Sequence, residues 1–185
     1  MKQSIFNSTL VLTIVCVVCS GLLGYSYTAT KDKIDAQGKD ALTAQLKEIF
    51  SDATSFDEKE GIYKVLNGNK IIGYATLAES SGYSSKIKML VGMDMDKKIK
   101  GVRIIYQAET PGLGTESIKP KFYEQFSGME SKDIALKKYG GKIDGITGAT
   151  ITSGAITAGV KNALTEKLEK LVDASNPTKA LVKSD

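Results

Sequence analysis

Two segments gather the residues whose types and spacing could do chemistry. The first runs Asp144-Gly145-Ile146-Thr147-Gly148-Ala149-Thr150-Ile151-Thr152-Ser153, small and hydroxyl-bearing residues directly ahead of an apolar pattern of helical period. Hydroxyls at such a place cap a helix, while free backbone N–H groups and the helix dipole make a seat for a phosphate. The residues alone leave both readings open, and capping is the commoner use of them. The second segment is Glu109-Thr110-Pro111-Gly112-Leu113-Gly114, a sharp loop in which glycine lets backbone approach a ligand closely. Its continuation to Ser117 lacks the third glycine of a dinucleotide fingerprint, and no Walker lysine follows, so a tight turn with nothing bound is the competing reading. The chain contains no histidine, which excludes Ser-His and Cys-His hydrolase arrangements and His-ligated metals. No adjacent base is therefore available to activate Thr147, Thr150, Thr152 or Ser153. The two cysteines, Cys16 and Cys19, fall in an apolar stretch, away from any zinc or iron–sulfur pattern. No catalytic side chain and no metal site is expected, and redox chemistry here has to come from a cofactor.

The elements that would position these loops can be read from periodicity. From Gln3 to Thr30 there is no charged residue, and Leu10 to Leu23 is nearly all aliphatic. Extended through Tyr25 and Tyr27, the run reaches the roughly 20 residues needed to cross a bilayer. A retained anchor over 1–30 is expected, and a signal peptide ending at Thr28-Ala29 is the competing reading. Lys2 on one side and Lys31, Lys33 and Lys39 on the other give the positive-inside rule no clear vote. Residues 31–60 read as a stalk helix, carrying Ile34, Leu42, Leu46 and Ile49, followed by a polar linker over 51–60. A domain follows over 61–174, with a flexible polar tail over 175–185. Within it, Ile62–Leu66 and Ile71–Leu77 flank Asn67-Gly68-Asn69 as a hairpin, and Lys86–Met93 pairs with Ile99–Tyr106. Ser117–Phe126 is helical in part, bounded by Pro120, and Ile134–Lys138 reads as a short strand. Ile156, Val160, Ala163, Leu164, Leu168 and Leu171 mark an amphipathic helix. The fold class is α+β: one N-terminal membrane helix, then a compact domain with a mostly antiparallel sheet and a helix packed on one face. A net charge of +4, built from scattered lysines and the single Arg103, gives no nucleic-acid signature.

The run Asp144-Gly-Ile-Thr-Gly-Ala-Thr150 resembles the flavinylation motif of the FMN-binding domain family. With Glu-Thr-Pro-Gly-Leu-Gly upstream and a single anchor, nearly the whole chain is similar to the G subunits of Rnf-type ion-translocating oxidoreductases. These are relatives of the C subunit of the sodium-translocating NADH:quinone reductase, and the short length favours the Rnf type. The resemblance implies a covalent FMN, joined by a phosphodiester to Thr150, with Thr147, Gly148 and Ala149 as the preceding motif positions and Thr152 nearby. Asp144, as an acceptor that repels bare phosphate, is read as positioning the loop or a Mg²⁺ during attachment by a separate flavin transferase. Glu109, Thr110, Gly112 and Leu113 are read as lining the isoalloxazine, Leu113 by apolar contact and Thr110 by a hydrogen bond. The resemblance further implies an electron-carrying subunit in the cytoplasmic membrane, with its FMN domain extracytoplasmic and with multi-span and iron–sulfur subunits as partners. Reduced ferredoxin would be the electron source, NAD⁺ the acceptor, and Na⁺ or H⁺ the ion moved. A free-standing anchored flavoprotein and a non-redox anchored binding module are the alternatives. Cys16 and Cys19 share one helix face at i,i+3. Packing is the expected role for them, a contact to a cluster in a neighbouring subunit the less expected one.

Overall fold

The structure, a computed structural model, describes residues 2–175. Of the tail expected over 175–185, Ser175 ends a helix and the rest lies outside the described residues. The chain divides into two compact units, Met1–Thr43 and Ala44–Asp185. Helix α1 spans Lys2–Ile49 and supplies the first unit and the opening of the second.

In the first unit, Thr9–Lys31 is long and apolar enough to cross a membrane, with a mean hydropathy of 2.0. Its hydroxyls turn back onto the helix: Thr13 donates to the Thr9 carbonyl at 2.9 Å and Ser20 to the Cys16 carbonyl at 2.7 Å. That internal bonding keeps polar groups satisfied on a helix whose side chains are otherwise apolar. Cys16 and Cys19 are exposed free thiols.

The second unit is built on a five-stranded antiparallel sheet in chain order: β1 Ser55–Lys59, β2 Ile62–Asn67, β3 Lys70–Ser81, β4 Lys86–Asp94 and β5 Ile99–Tyr106. The two expected hairpins form, and Gly68 supplies the left-handed φ of +60° in the first turn. The polar stretch expected as linker contains β1, which pairs with β2 from Ser55↔Leu66 to Lys59↔Ile62. Asp57, Glu58 and Lys59 are exposed on this edge strand, so it carries no alternation to read, and their charge discourages pairing with another chain. The expected strand at Ile134–Lys138 is absent. Ile134, Leu136 and Ile143 are buried, but left-handed Gly140 and the close approach of Gly141 to the Ala135 carbonyl fold the chain back. Only an isolated Leu136–Ile143 bridge and a 3-10 turn at Lys137–Tyr139 result.

After β5 come a 3-10 turn at Gly114–Ile118, the short helix α2 (Pro120–Tyr123, with Pro120 opening it) and a 3-10 turn at Glu124–Phe126. Helix α3 (Thr150–Asn162) continues through a π-helical segment, Ala163–Leu168, into α4 (Glu169–Ser175). Its stripe of Ile156, Val160, Leu164 and Leu168 packs with Ile87, Met89, Val91 and Met93, the alternate residues of β4, as period-two and period-3.6 faces require.

The sequence predicts a helix on one face of the sheet, yet both faces are covered. Leu46, Ile49 and Phe50 at the end of α1 are buried, and Ile49 and Phe50 lie in a trough made by Gly73, Gly92 and Gly101 on three neighbouring strands. A Cβ on Gly92 would sit 2.7 Å from both Ile49 and Phe50, and one on Gly101 would sit 3.3 Å from Ile49. The compact unit consequently begins at Ala44, well ahead of the expected boundary at residue 61. Replacing Gly73 with Ala drives a methyl into the Met93 carbonyl and the Phe50 ring. It should cost about 1–3 kcal/mol, read as an earlier midpoint in urea denaturation.

Candidate functional site

The two chemistry-bearing loops meet at the start of α3. Gly148 takes a left-handed φ of +76° and passes so close to Leu113 that a Cβ there would lie 2.9 Å from its side chain. Gly112, at φ +74°, turns the other loop, whose Thr115 hydroxyl accepts the Gly112 N–H at 3.0 Å. Gly114 is buried, since a Cβ would strike Glu109 at 2.5 Å and the Thr152 hydroxyl at 3.0 Å.

Glu109 organises this junction. Its carboxylate is 5 % exposed and accepts the backbone N–H groups of Tyr83 at 3.0 Å, Ser84 at 3.0 Å and Ser85 at 2.9 Å. It also accepts the Ser85 hydroxyl at 3.2 Å and the Thr152 hydroxyl at 2.6 Å. Burial pushes its pKa up more than any single contact lowers it, but the Thr152 hydroxyl and the three backbone donors together hold it below the usual value. Glu109 therefore joins the β3–β4 turn, its own loop and α3, with its oxygens engaged inside the protein.

The expected hydroxyl cap is not formed. Ala149 holds the N-cap position of α3 with no side-chain cap bond, while Ser153 accepts the Ile146 N–H at 2.9 Å and donates to the Ala149 carbonyl at 2.9 Å. The N–H groups of Thr150, Ile151 and Thr152 have no acceptor among the described residues. Thr150 is the first residue of α3 and is exposed, as is Thr147. Thr152 is 2 % exposed and its hydroxyl is committed to Glu109. Asp144 pairs with Lys137 at 2.7 Å, and its own N–H donates to the Gln125 side chain at 2.7 Å.

Two clefts flank the Leu113–Gly148 contact. One, of about 450 Å³, is lined by Tyr83, Thr110, Leu113, Ile151 and the backbone of Gly148 and Ala149. The other, of about 530 Å³, is lined by Phe122, Gln125, Asp144, Thr147, Lys119 and Lys121. Both lie in the size range of small-molecule sites. In the first, Tyr83, Ile151 and Leu113 leave 70 %, 59 % and 41 % of their surface exposed. Tyr83, Ile151 and Gln125 are not among the residues expected from sequence. The available signal is an aromatic set in the Gly82-Tyr83-Ser84-Ser85 turn and an isoleucine in the first turn of a helix.

Comparison with known proteins adds to this geometry. Residues 82–165 match the model of the FMN-binding domain, and residues 1–49 that of the RnfG N-terminal region. The chain is 33 % identical over 169 residues to the G subunit of the proton-translocating ferredoxin:NAD(+) oxidoreductase complex of Clostridium ljungdahlii, covering 88 % of this chain and 91 % of that one. It belongs to the family of G subunits of ion-translocating oxidoreductase complexes. The G subunit of the ion-translocating oxidoreductase complex of Aliivibrio fischeri (strain MJ11) is 32 % identical, with 89 % and 90 % of the two chains covered. The crystal structure of Shewanella oneidensis NqrC shares the fold, with a TM-score of 0.50 at 18 % identity over 68 % of this chain and 72 % of that one. In this family the chain is an electron-transfer subunit of a membrane complex, and the FMN-binding domain contains both loops and the Tyr83 turn.

Because Glu109 titrates below the usual carboxylate value, its contribution is complete above that value and is lost as pH falls through the lowered one. Glu109→Gln should destabilise the domain by about 1–3 kcal/mol at neutral pH. Urea denaturation from pH 7 to pH 3 should show a smaller acid-driven loss in the variant than in the wild type.

Proposed function

We propose that this chain relays electrons through an FMN covalently joined by a phosphodiester to Thr150, within an Rnf-type ferredoxin:NAD⁺ oxidoreductase that moves Na⁺ or H⁺. The observation that carries the reading is the start of α3, where backbone donors without acceptors stand beside an exposed threonine and an apolar cleft. These features suit a phosphate at the helix end and a flat ring in the cleft. Tyr83, Leu113 and Ile151 would cover the isoalloxazine, and Thr110 is within the same cleft as a hydrogen-bonding group. The three donors and the α3 dipole would hold the diester. Gly148 and Ala149 leave space around it, and Gly112 shapes the loop carrying Leu113. Thr147 and Asp144 border the second cleft, where Gln125 and Lys137 hold the Asp144 segment in place. Glu109, read from sequence as lining the isoalloxazine, borders the first cleft and also fixes the positions of Tyr83 and Thr152.

FMN supplies the one- and two-electron chemistry when bound, and the protein supplies its place, its surroundings and its retention. A tether suits an extracytoplasmic domain, where a dissociated flavin is lost. The multi-span and iron–sulfur subunits would give and take the electrons, and a flavin transferase would make the bond. Cys16 and Cys19, exposed on the apolar part of α1, serve packing against those subunits in this reading.

Co-production with a flavin transferase should give a chain whose flavin fluorescence survives denaturing electrophoresis. Thr150→Ala should lose that signal, whereas Thr147→Ala and Thr152→Ala should keep it. Retention in the Thr150 variant would move the attachment to Thr147, since the Thr152 hydroxyl is buried against Glu109. A colourless wild-type chain would overturn the flavin reading altogether.

A further inference from the structure

Arg103 is the only arginine in the chain, and neither its place on β5 nor its contacts are explained by the flavin site. Its Nε donates to Glu48 in the last turn of α1 at 3.2 Å, and Nη1 donates to the Val102 carbonyl at 2.9 Å. Its guanidinium carbon stands 4.6 Å from the centre of the Tyr123 ring. A planar guanidinium can make these contacts at once, and three-quarters of the side chain is shielded, at 24 % exposure. Tyr123 ends α2, and Gln125 follows in the next turn. Gln125 exchanges two hydrogen bonds with the Asp144 backbone, accepting its N–H at 2.7 Å and donating to its carbonyl at 3.3 Å. Asp144 opens the segment that leads to Thr150. The contacts thus run without a gap from the foot of α1 to the start of the attachment loop.

We propose that Arg103 is a positioning residue: by bridging Glu48 in the last turn of α1 and Tyr123 at the end of α2, it sets the Gln125–Asp144 pair and with it the stance of the loop that leads to Thr150. Only the flavin signal below rests on the function proposed above; the amide signal does not need a flavin.

The test is hydrogen exchange with single-residue resolution on the full chain in detergent, without flavin. Gln125→Ala gives the rate for an Asp144 amide that has lost its acceptor. Arg103→Met should speed Asp144 exchange at least tenfold while the Val91 amide in the core is unchanged. Arg103→Lys, which keeps a cation between Glu48 and the Tyr123 ring, should stay within threefold of wild type. In the flavin-loaded chain, Arg103→Met should at least halve the visible circular dichroism of the flavin. Asp144 exchange within twofold of wild type in Arg103→Met overturns the proposal, and so does a lysine variant no slower than the methionine one, or an unchanged flavin signal. If Arg103→Met also speeds exchange at Val91, Glu48→Gln decides instead: at least a threefold rise confined to Asp144 is expected, and none overturns the proposal. A wild-type chain that binds no flavin refutes the proposed function, while the exchange result still stands or falls by itself.

Discussion

A buried carboxylate has to find partners or give up its charge, and Glu109 finds them in two separate parts of the chain. Its oxygens take the N–H groups of a strand-connecting turn and the hydroxyl of the third residue of a helix, while its backbone begins the glycine-rich loop between them. With glycines at 82 and 114 leaving room for the side chain, the charge does what packing does elsewhere in the domain. The cleft lined by Tyr83, the exposed Tyr83 itself and the start of α3 are tied to that carboxylate.

The second constraint is steric. Three glycines on adjacent strands turn one face of the sheet into a trough, and the foot of α1 fills it with Ile49 and Phe50. The opposite face receives the long C-terminal helix, so β4 is covered on both sides although it is only one member of a five-stranded meander. The sheet is therefore a partition between the foot of α1 and the helix that carries Thr150 at its tip.

How much of this is legible in the sequence depends on whether a feature leaves a periodic trace. β2 to β5 and α3 do so, through alternating apolar residues and through the Ile156–Val160–Leu164–Leu168 stripe. β1 does not, because an exposed edge has no buried face to mark. Ile134–Lys138 shows strand-like apolar residues that serve the core and form only the isolated Leu136–Ile143 bridge. In the site, the two loops are readable as motifs, and the structure brings them together. The inward turn of Glu109 is not readable, because its partners are backbone donors 24 to 26 residues upstream and a threonine 43 residues downstream. Tyr83 is hidden for the same reason, as an aromatic in a turn gives no signal of what it faces. The hydroxyl-rich run at the start of α3 suggests a cap, but Thr152 bonds to Glu109 and Ser153 to Ile146 and Ala149, and the helix end stays open.

Thr150 is the first residue of a thirteen-residue helix and not part of the loop before it. A group joined to its hydroxyl would be rooted on a helix packed into the core, with buried Thr152, Ser153 and Ile156 directly behind. The swing of such a group would then come mainly from the length and torsions of its own chain. Carrier proteins that move a prosthetic group on a mobile loop gain reach and lose a defined resting place. With a flavin on Thr150 as proposed, this domain would make the opposite choice, and any long excursion would have to come from movement of the domain as a whole.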